Sequence, residues 1–275
     1  MLNEIIVVYA IVDDLLKAIG HEEDVRRDMS DAEIITTSIS AAMFFNGNHT
    51  KACEYMKDHN LVKKMLEKSR FNRRLHNVSM LVNDLFHQVG MILKEMSDST
   101  EYILDSFPVP MCDNIRIFNV KLISGKQYRG YIASKKRYFY GVRVQLLATK
   151  DGIPVEFVIL PGNASDIRGL NALPLNLPPG SEIYADAAYT DYKLEDILQE
   201  LSGISLKVMR KKNSKRQDKP WIKYIKQHIR HYIETVFSGI TCVFPKSIHA
   251  VTYEGFLLKL EAFIFAFTLK SAFIE

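Results

Sequence analysis

The sequence predicts an α/β protein, a mixed sheet with helices on its faces, preceded by an all-helical region. Three observations carry this reading. Apolar residues recur at helical spacing over residues 1–98. Around residue 98 that period gives way to short runs rich in aromatic and β-branched residues, separated by turn signals. Within this second part, hairpin-forming strands come first and strands alternating with helices follow, an order that builds a mixed sheet. The expected division is a helical region over residues 1–98 and one α/β domain over residues 99–275.

In the helical region, Ile5, Val8, Val12, Leu15, Leu16 and Ile19 share a helical spacing, and Gly20 is a stop. Ser30 with Glu33 three residues later has the capping-box pattern, opening a helix through Ile34, Ile35, Ile39 and Met43 to the Asn46-Gly47-Asn48 break. A short helix around Lys51–Asp58 follows. After Ser69 a long one carries Leu75, Val78, Val82, Leu85, Phe86, Val89 and Leu93. Its Arg70, Arg73, Arg74 and His76 read as a solvated surface, with a DNA-contacting helix as the alternative.

Beyond residue 98, Tyr102-Ile103-Leu104 is a strand that delivers Asp105 and is expected to stop at Pro108 and Pro110. The basic patch Lys135, Lys136 and Arg137 leads into a strand over Tyr138–Thr149. Lys150-Asp151-Gly152 is a hairpin turn and Ile153–Leu160 the returning strand. Asp166 reads as the cap of a short helix, and Asp191 as the cap of another. Between them, Glu182-Ile183-Tyr184-Ala185 again delivers an aspartate, Asp186. Ile204–Met209 is a short strand. The basic loop Arg210–Lys219 is expected to be disordered without a partner. A helix then runs through Trp221, Ile225, Ile229, Ile233 and Phe237, and Gly239 is expected to loosen or end it. Trp221 reads as a core anchor, with base stacking as the alternative.

Composition narrows the function. The chain has 275 residues, 47% hydrophobic and 25% charged, which suits a globular protein with a sizeable core. A net charge of +4 only permits an anionic partner. Its placement says more: Leu201–Ala250 holds eleven Lys or Arg against Asp218 and Glu234 alone, a field suited to a polyanion. Cys53, Cys112 and Cys242 are scattered, so neither a disulfide framework nor a zinc site is suggested. Asp13 and Asp14 interrupt the first apolar run, and Lys259, Glu261 and Lys270 punctuate the last, so neither reads as a membrane span and no targeting signal is evident. The Phe256–Ile274 stretch reads as a buried or docking helix.

Asp105 and Asp186 at strand tips, and Glu234 on a helix, are three acids from three elements. Carboxylates suit divalent cations that prefer hard oxygen ligands, and converging carboxylates suit two-metal phosphoryl transfer. Arg230 lies four residues before Glu234 and shares its face. It could hold the acid or bind a backbone phosphate. The bland alternative is that strand-end aspartates only shape turns.

The blocks ILDSFPVPMCDNIRI, KKRYFYGVRVQLLATKDGIPVEFVILPGNASD, IYADAAYTD and RHYIETVFSGI together resemble the bacterial insertion-sequence DDE transposases, closest to the IS982 family. The resemblance covers most of residues 100–240. It implies a ribonuclease-H-like catalytic core in which Asp105, Asp186 and Glu234 hold two divalent ions, Mg²⁺ or Mn²⁺. The implied reaction is endonucleolytic cleavage at element ends, then strand transfer into target DNA. Related IS4-type signatures carry a tyrosine and a lysine where this chain has Gln227 and Thr241, while their arginine is kept as Arg230.

The implied partner is double-stranded DNA, both inverted-repeat ends and target, bound by a homodimer associated with the nucleoid in the cytoplasm. Lys135, Lys136 and Arg137 would line the DNA track. Arg210, Lys211, Lys212, Lys215 and Arg216 would meet phosphates, and Arg230 would act beside the acids. The helical region would bind DNA ends or dimerise. Two rivals remain: a metal-dependent nuclease that cuts without joining, and a domesticated DNA-binding protein without catalysis.

Overall fold

Apolar stripes at helical spacing form α1 (Leu2–Ala18), α2 (Asp31–Phe44), α3 (His49–Asp58), α4 (Lys68–Asn77) and α5 (Ser79–Met96). The computed structural model describes every residue except 113–116, 118–121, 133–135, 246 and 275. The capping box at α2 forms: the Glu33 N–H donates to the Ser30 hydroxyl, and the Ser30 N–H donates to the Glu33 carboxylate. The long helix expected after Ser69 is two helices that meet at Val78.

α2 is buried from Asp31 to Ala42 on nearly every side, so it needs neighbours all round. It has them in α1, α3, α4 and the last helix, α9 (Tyr253–Phe273). Asp31, at 2% exposure, accepts hydrogen bonds from Arg27 and Arg74 and contacts His21. Arg74 is therefore consumed by an internal acid, which corrects its reading as a solvated or DNA-facing group.

The chain divides into two compact units, Met1–Val89 with Val243–Glu275, and Gly90–Cys242. This differs from an α/β domain reaching residue 275. α9 buries Phe256, Leu260, Phe263, Ile264 and Leu269, and it packs on α2 and α4 within the helical unit. A helix apolar all round must find a neighbour on each side, and α2 is the element that offers one.

The second unit is a six-stranded mixed sheet. Its strands are β1 (Glu101–Cys112), β2 (Arg129–Ile132), β3 (Arg137–Thr149), β4 (Pro154–Pro161), β5 (Glu182–Ala185) and β6 (Ser205–Val208). The order is β2-β3-β1-β5-β6, with β4 also pairing β3. β1, β5 and β6 run parallel, while β3 is antiparallel to β1, β2 and β4. The hairpin turn forms as expected, with Gly152 at φ 86° supplying the left-handed backbone. α6 (Asp166–Ala172), α7 (Tyr192–Ser202) and α8 (Pro220–Cys242) complete the unit, and α8 packs on β1 and β5. α8 runs past Gly239 rather than ending there.

One strand departs from expectation in a way that matters. β1 does not stop at its prolines: Pro108 pairs with Arg143 and Pro110 with Gly141. β5 pairs with β1 only over Glu101–Leu104, so beyond Leu104 one edge of β1 is unpaired by β5. Two prolines two residues apart present their missing N–H groups to the same side. Turned to that edge, they remove no ladder hydrogen bond.

Candidate active site

The parallel register of β1 and β5 builds the floor of the site. Leu104 pairs with Ala185 as the last rung, so Asp105, which continues within β1 opposite Leu146 rather than ending it, and Asp186, just past β5, stand level on adjacent strands. The Ser106 N–H donates to the Asp105 carboxylate at 2.7 Å, and the Ala187 N–H to that of Asp186 at 2.6 Å. α8 crosses nearby, held by Ile233 and Phe237, with the Phe237 ring edge-on to Phe107 at 6.5 Å. Its Lys226, Arg230 and Glu234, spaced by four, lie along one face. Asp105, Asp186, Glu234, Arg230, Lys226 and Tyr184 all line one small cavity of about 40 Å³.

Electrostatics mark the spot as anionic below and cationic at its edge. Asp105 is pushed up to about 6, first by burial and then by the Asp166 and Asp186 carboxylates, against the Ser106 N–H and Arg143. The Arg230 guanidinium donates to Glu234 at 3.1 Å and lies 3.8 Å from Asp186, bridging the two outer acids. Three carboxylates are the donor set that Mg²⁺ or Mn²⁺ prefers, and a cation would relieve the repulsion felt by Asp105. The donor chemistry thus fits a divalent ion. In this arrangement, among the described residues, no three acids, histidines or cysteines stand close enough to grip one. Arg230 holds two of the acids instead.

Two residues were missed by sequence reasoning. Asp166 does not cap α6; Ser165 does, accepting from the Arg168 N–H at 3.3 Å. Asp166 instead accepts from the Ser106 hydroxyl at 2.6 Å and from Arg143 at 3.2 Å, beneath Asp105. The Ser-Asp pair before a helix was a signal, because only one of the two can be the cap. Lys226 is buried at 6% exposure, donating to the Val208 carbonyl and to Asp218 at 2.9 and 2.7 Å. Its i,i+4 spacing to Arg230 was visible in the chain. Asp191 does cap α7, as expected.

The basic residues divide. Lys136 is exposed just before β3 and Arg137 at its first position, while Lys135 lies outside the described residues. Arg210 makes a forked pair with Glu195 at 2.7 and 2.5 Å, and its side chain is 9% exposed. Arg216 pairs with Asp196 at 2.7 Å through both nitrogens. Both guanidinium groups also lie over the Tyr192 ring. The loop is therefore ordered by α7, a correction to the expected disorder, and Gln217 ties its carbonyls together. Lys211, Lys212 and Lys215 remain exposed. Trp221 is 61% exposed, so it is no core anchor.

Compared with known proteins, residues 94–245 match the family model described as "Transposase DDE domain". No curated protein and no solved structure matches the chain.

Proposed function

The chain belongs to the transposase DDE-domain family, and from that membership we propose that it cuts DNA at insertion-sequence ends and joins them to target DNA. The observation that carries this reading is one cavity lined by Asp105 of β1, Asp186 just past the end of β5, and Glu234 on α8. The mixed sheet supports a ribonuclease-H-like core, and the sequence blocks support a place near the IS982 family.

In this reading Asp105, Asp186 and Glu234 hold the divalent ions, Mg²⁺ or Mn²⁺, two of them. Bound there, such ions activate an attacking oxygen and stabilise the leaving one. The protein's own residues do the rest. The Asp105 carboxylate is oriented by the Ser106 N–H, and the Asp166–Arg143 pair braces Ser106 from behind. Arg230, within reach of both outer acids, is placed to take a phosphate oxygen at the rim of the cavity. Lys136, Arg137, Lys211, Lys212 and Lys215 supply phosphate contacts that position the duplex without reading its sequence. A homodimer follows from the need to process two ends.

The test uses the full chain, labelled DNA carrying the inverted repeats that flank its gene, and a target plasmid, in Mg²⁺ or EDTA. Cleavage with joined product, lost in EDTA and in Asp186→Asn, is the expected result. Cleavage without joining would establish the nuclease instead. Tight binding with neither reaction, in Mg²⁺ and in Mn²⁺, would refute the catalytic reading.

A further inference from the structure

The helical unit contains a cavity of about 560 Å³, apart from the acids and lysines described above. Three helix starts contribute to its wall: His49 from α3, Lys68 from α4, and Gly255 in the first turn of α9 with Thr252, the residue that caps it. Along α4, Lys68, Asn72 and His76 are four residues apart and share one face. His76 Nε2 stands 3.6 Å from where a Cβ on Gly255 would sit, so that face of α4 meets the start of α9 directly. From α9, Lys259 donates its ammonium to the His249 carbonyl at 2.6 Å.

The chemistry of this wall has one sign. Its titratable groups are Lys68, Lys259, His49, His76 and His249, and no carboxylate among the described residues lines it. Burial and the charge of Lys68 lower the Lys259 pKa. Burial, then Lys259, and more weakly His76, push His49 down to about 4 against a side-chain hydrogen bond with Asn72, so it stays neutral. The convergent helix starts add positive partial charge. Lys68 and Lys259 both line this wall, so an anion seated there meets two ammonium groups and no carboxylate of the lining. The volume exceeds that of a bare phosphate and falls in the range of small-molecule sites.

We propose that this cavity is a phosphate site that takes the phosphate of a nucleotide, with Lys68 and Lys259 as the charged donors and Asn72 and His76 as hydrogen-bonding partners. The nucleotide is either free or part of a DNA strand. The inference does not rest on the assignment of Asp105, Asp186 and Glu234, which belong to the other unit.

The experiment is isothermal titration of the full chain, carrying Asp186→Asn to prevent cutting. The probes are inorganic phosphate, deoxyadenosine 5′-monophosphate and a short DNA duplex. Phosphate or the mononucleotide should bind, and Lys68→Gln/Lys259→Gln should weaken it at least tenfold. The control Lys17→Gln/Lys63→Gln, at exposed lysines of the same unit outside that wall, should leave that binding unchanged. If only the duplex binds, and the Lys68→Gln/Lys259→Gln variant weakens it tenfold, the site takes a strand phosphate. Should the double variant unfold, the exposed Lys68→Gln and the charge-opposed Asn72→Asp replace it, each expected to weaken binding. The proposal is overturned if no probe binds, or if every probe binds the variants as tightly as the parent. Phosphate binding that persists while transposition assays fail would retain this site and reject the catalytic reading alone.

Discussion

Lys94, near the end of α5, and Glu156, on β4, form an ion pair at 2.6 Å with side chains 3% and 1% exposed. Lys94 also donates to the Asn176 carbonyl at 3.0 Å, and Glu156 accepts from the Leu175 and Asn176 N–H groups at 2.9 and 3.0 Å. The pair ties a helix end, a strand and the segment leading to β5. Lys94→Met keeps the apolar stem and removes only the ammonium. Glu156 is then buried with two neutral amide donors and no counter-charge, a loss of about 3–5 kcal/mol. With a urea slope of about 2 kcal/mol per molar for a unit of this size, the midpoint falls by about 1.5–2.5 M. Adding Glu156→Gln removes the stranded charge and keeps an acceptor oxygen, so the double variant should recover more than half of the loss. The assay is urea unfolding of the full chain followed by Trp221 fluorescence, since Trp221 is the sole tryptophan and belongs to the same unit. A midpoint shift under about 0.5 M for Lys94→Met, about 1 kcal/mol on that slope, would refute the reasoning. So would a double variant no more stable than the single one.

Two further predictions follow from the same logic. Burial pushes the Glu261 carboxyl on α9 up to about 7. The folded state therefore holds its proton more tightly than the unfolded chain, and stability is greatest below the unfolded value of 4.5 and falls as pH rises through 7. Glu261→Gln should abolish that slope and stabilise the protein at pH 8 by about 1–3 kcal/mol, read from urea midpoints at pH 5 and pH 8; an unchanged slope would contradict it. In the basic loop, Lys211→Gln/Lys212→Gln/Lys215→Gln should reduce the salt slope of duplex binding by about 3. Arg216→Gln, whose charge is engaged by Asp196, should change it by less than about 1. Fluorescence anisotropy across a salt series separates the two, and equal slopes for Arg216 and the lysines would show that its pairing does not matter.

Much of the site was legible because its residues end local patterns. Asp105 and Asp186 each close a short apolar run, and the run before Asp186 marks the end of β5, although β1 continues past Asp105 to Cys112. Glu234 stands four residues after Arg230, a spacing that any helix converts into contact. The same reasoning missed what depends on distant partners. Nothing near Arg210 in the chain announces that Glu195, fifteen residues earlier, takes its guanidinium. Nothing near Arg74 announces Asp31. Trp221 looked like core because it is large and apolar, yet α8 buries Ile233, Phe237 and Ile240 and leaves its first turns exposed.

The sequence by itself determined the kinds of element and some of their ends: the Ser30–Glu33 box, the turn at Gly152, the strand that stops short of Asp186, and the apolar character of α9. These depend on residues within a few positions of one another, where backbone sterics and local hydrogen bonds decide. Only the tertiary structure decided which acids share a cavity, which cations are spent on internal carboxylates, and that α9 packs with α2 and α4. Those choices lie between residues far apart in the chain. They are made by the burial of apolar surface and by the penalty for burying a charge without its partner.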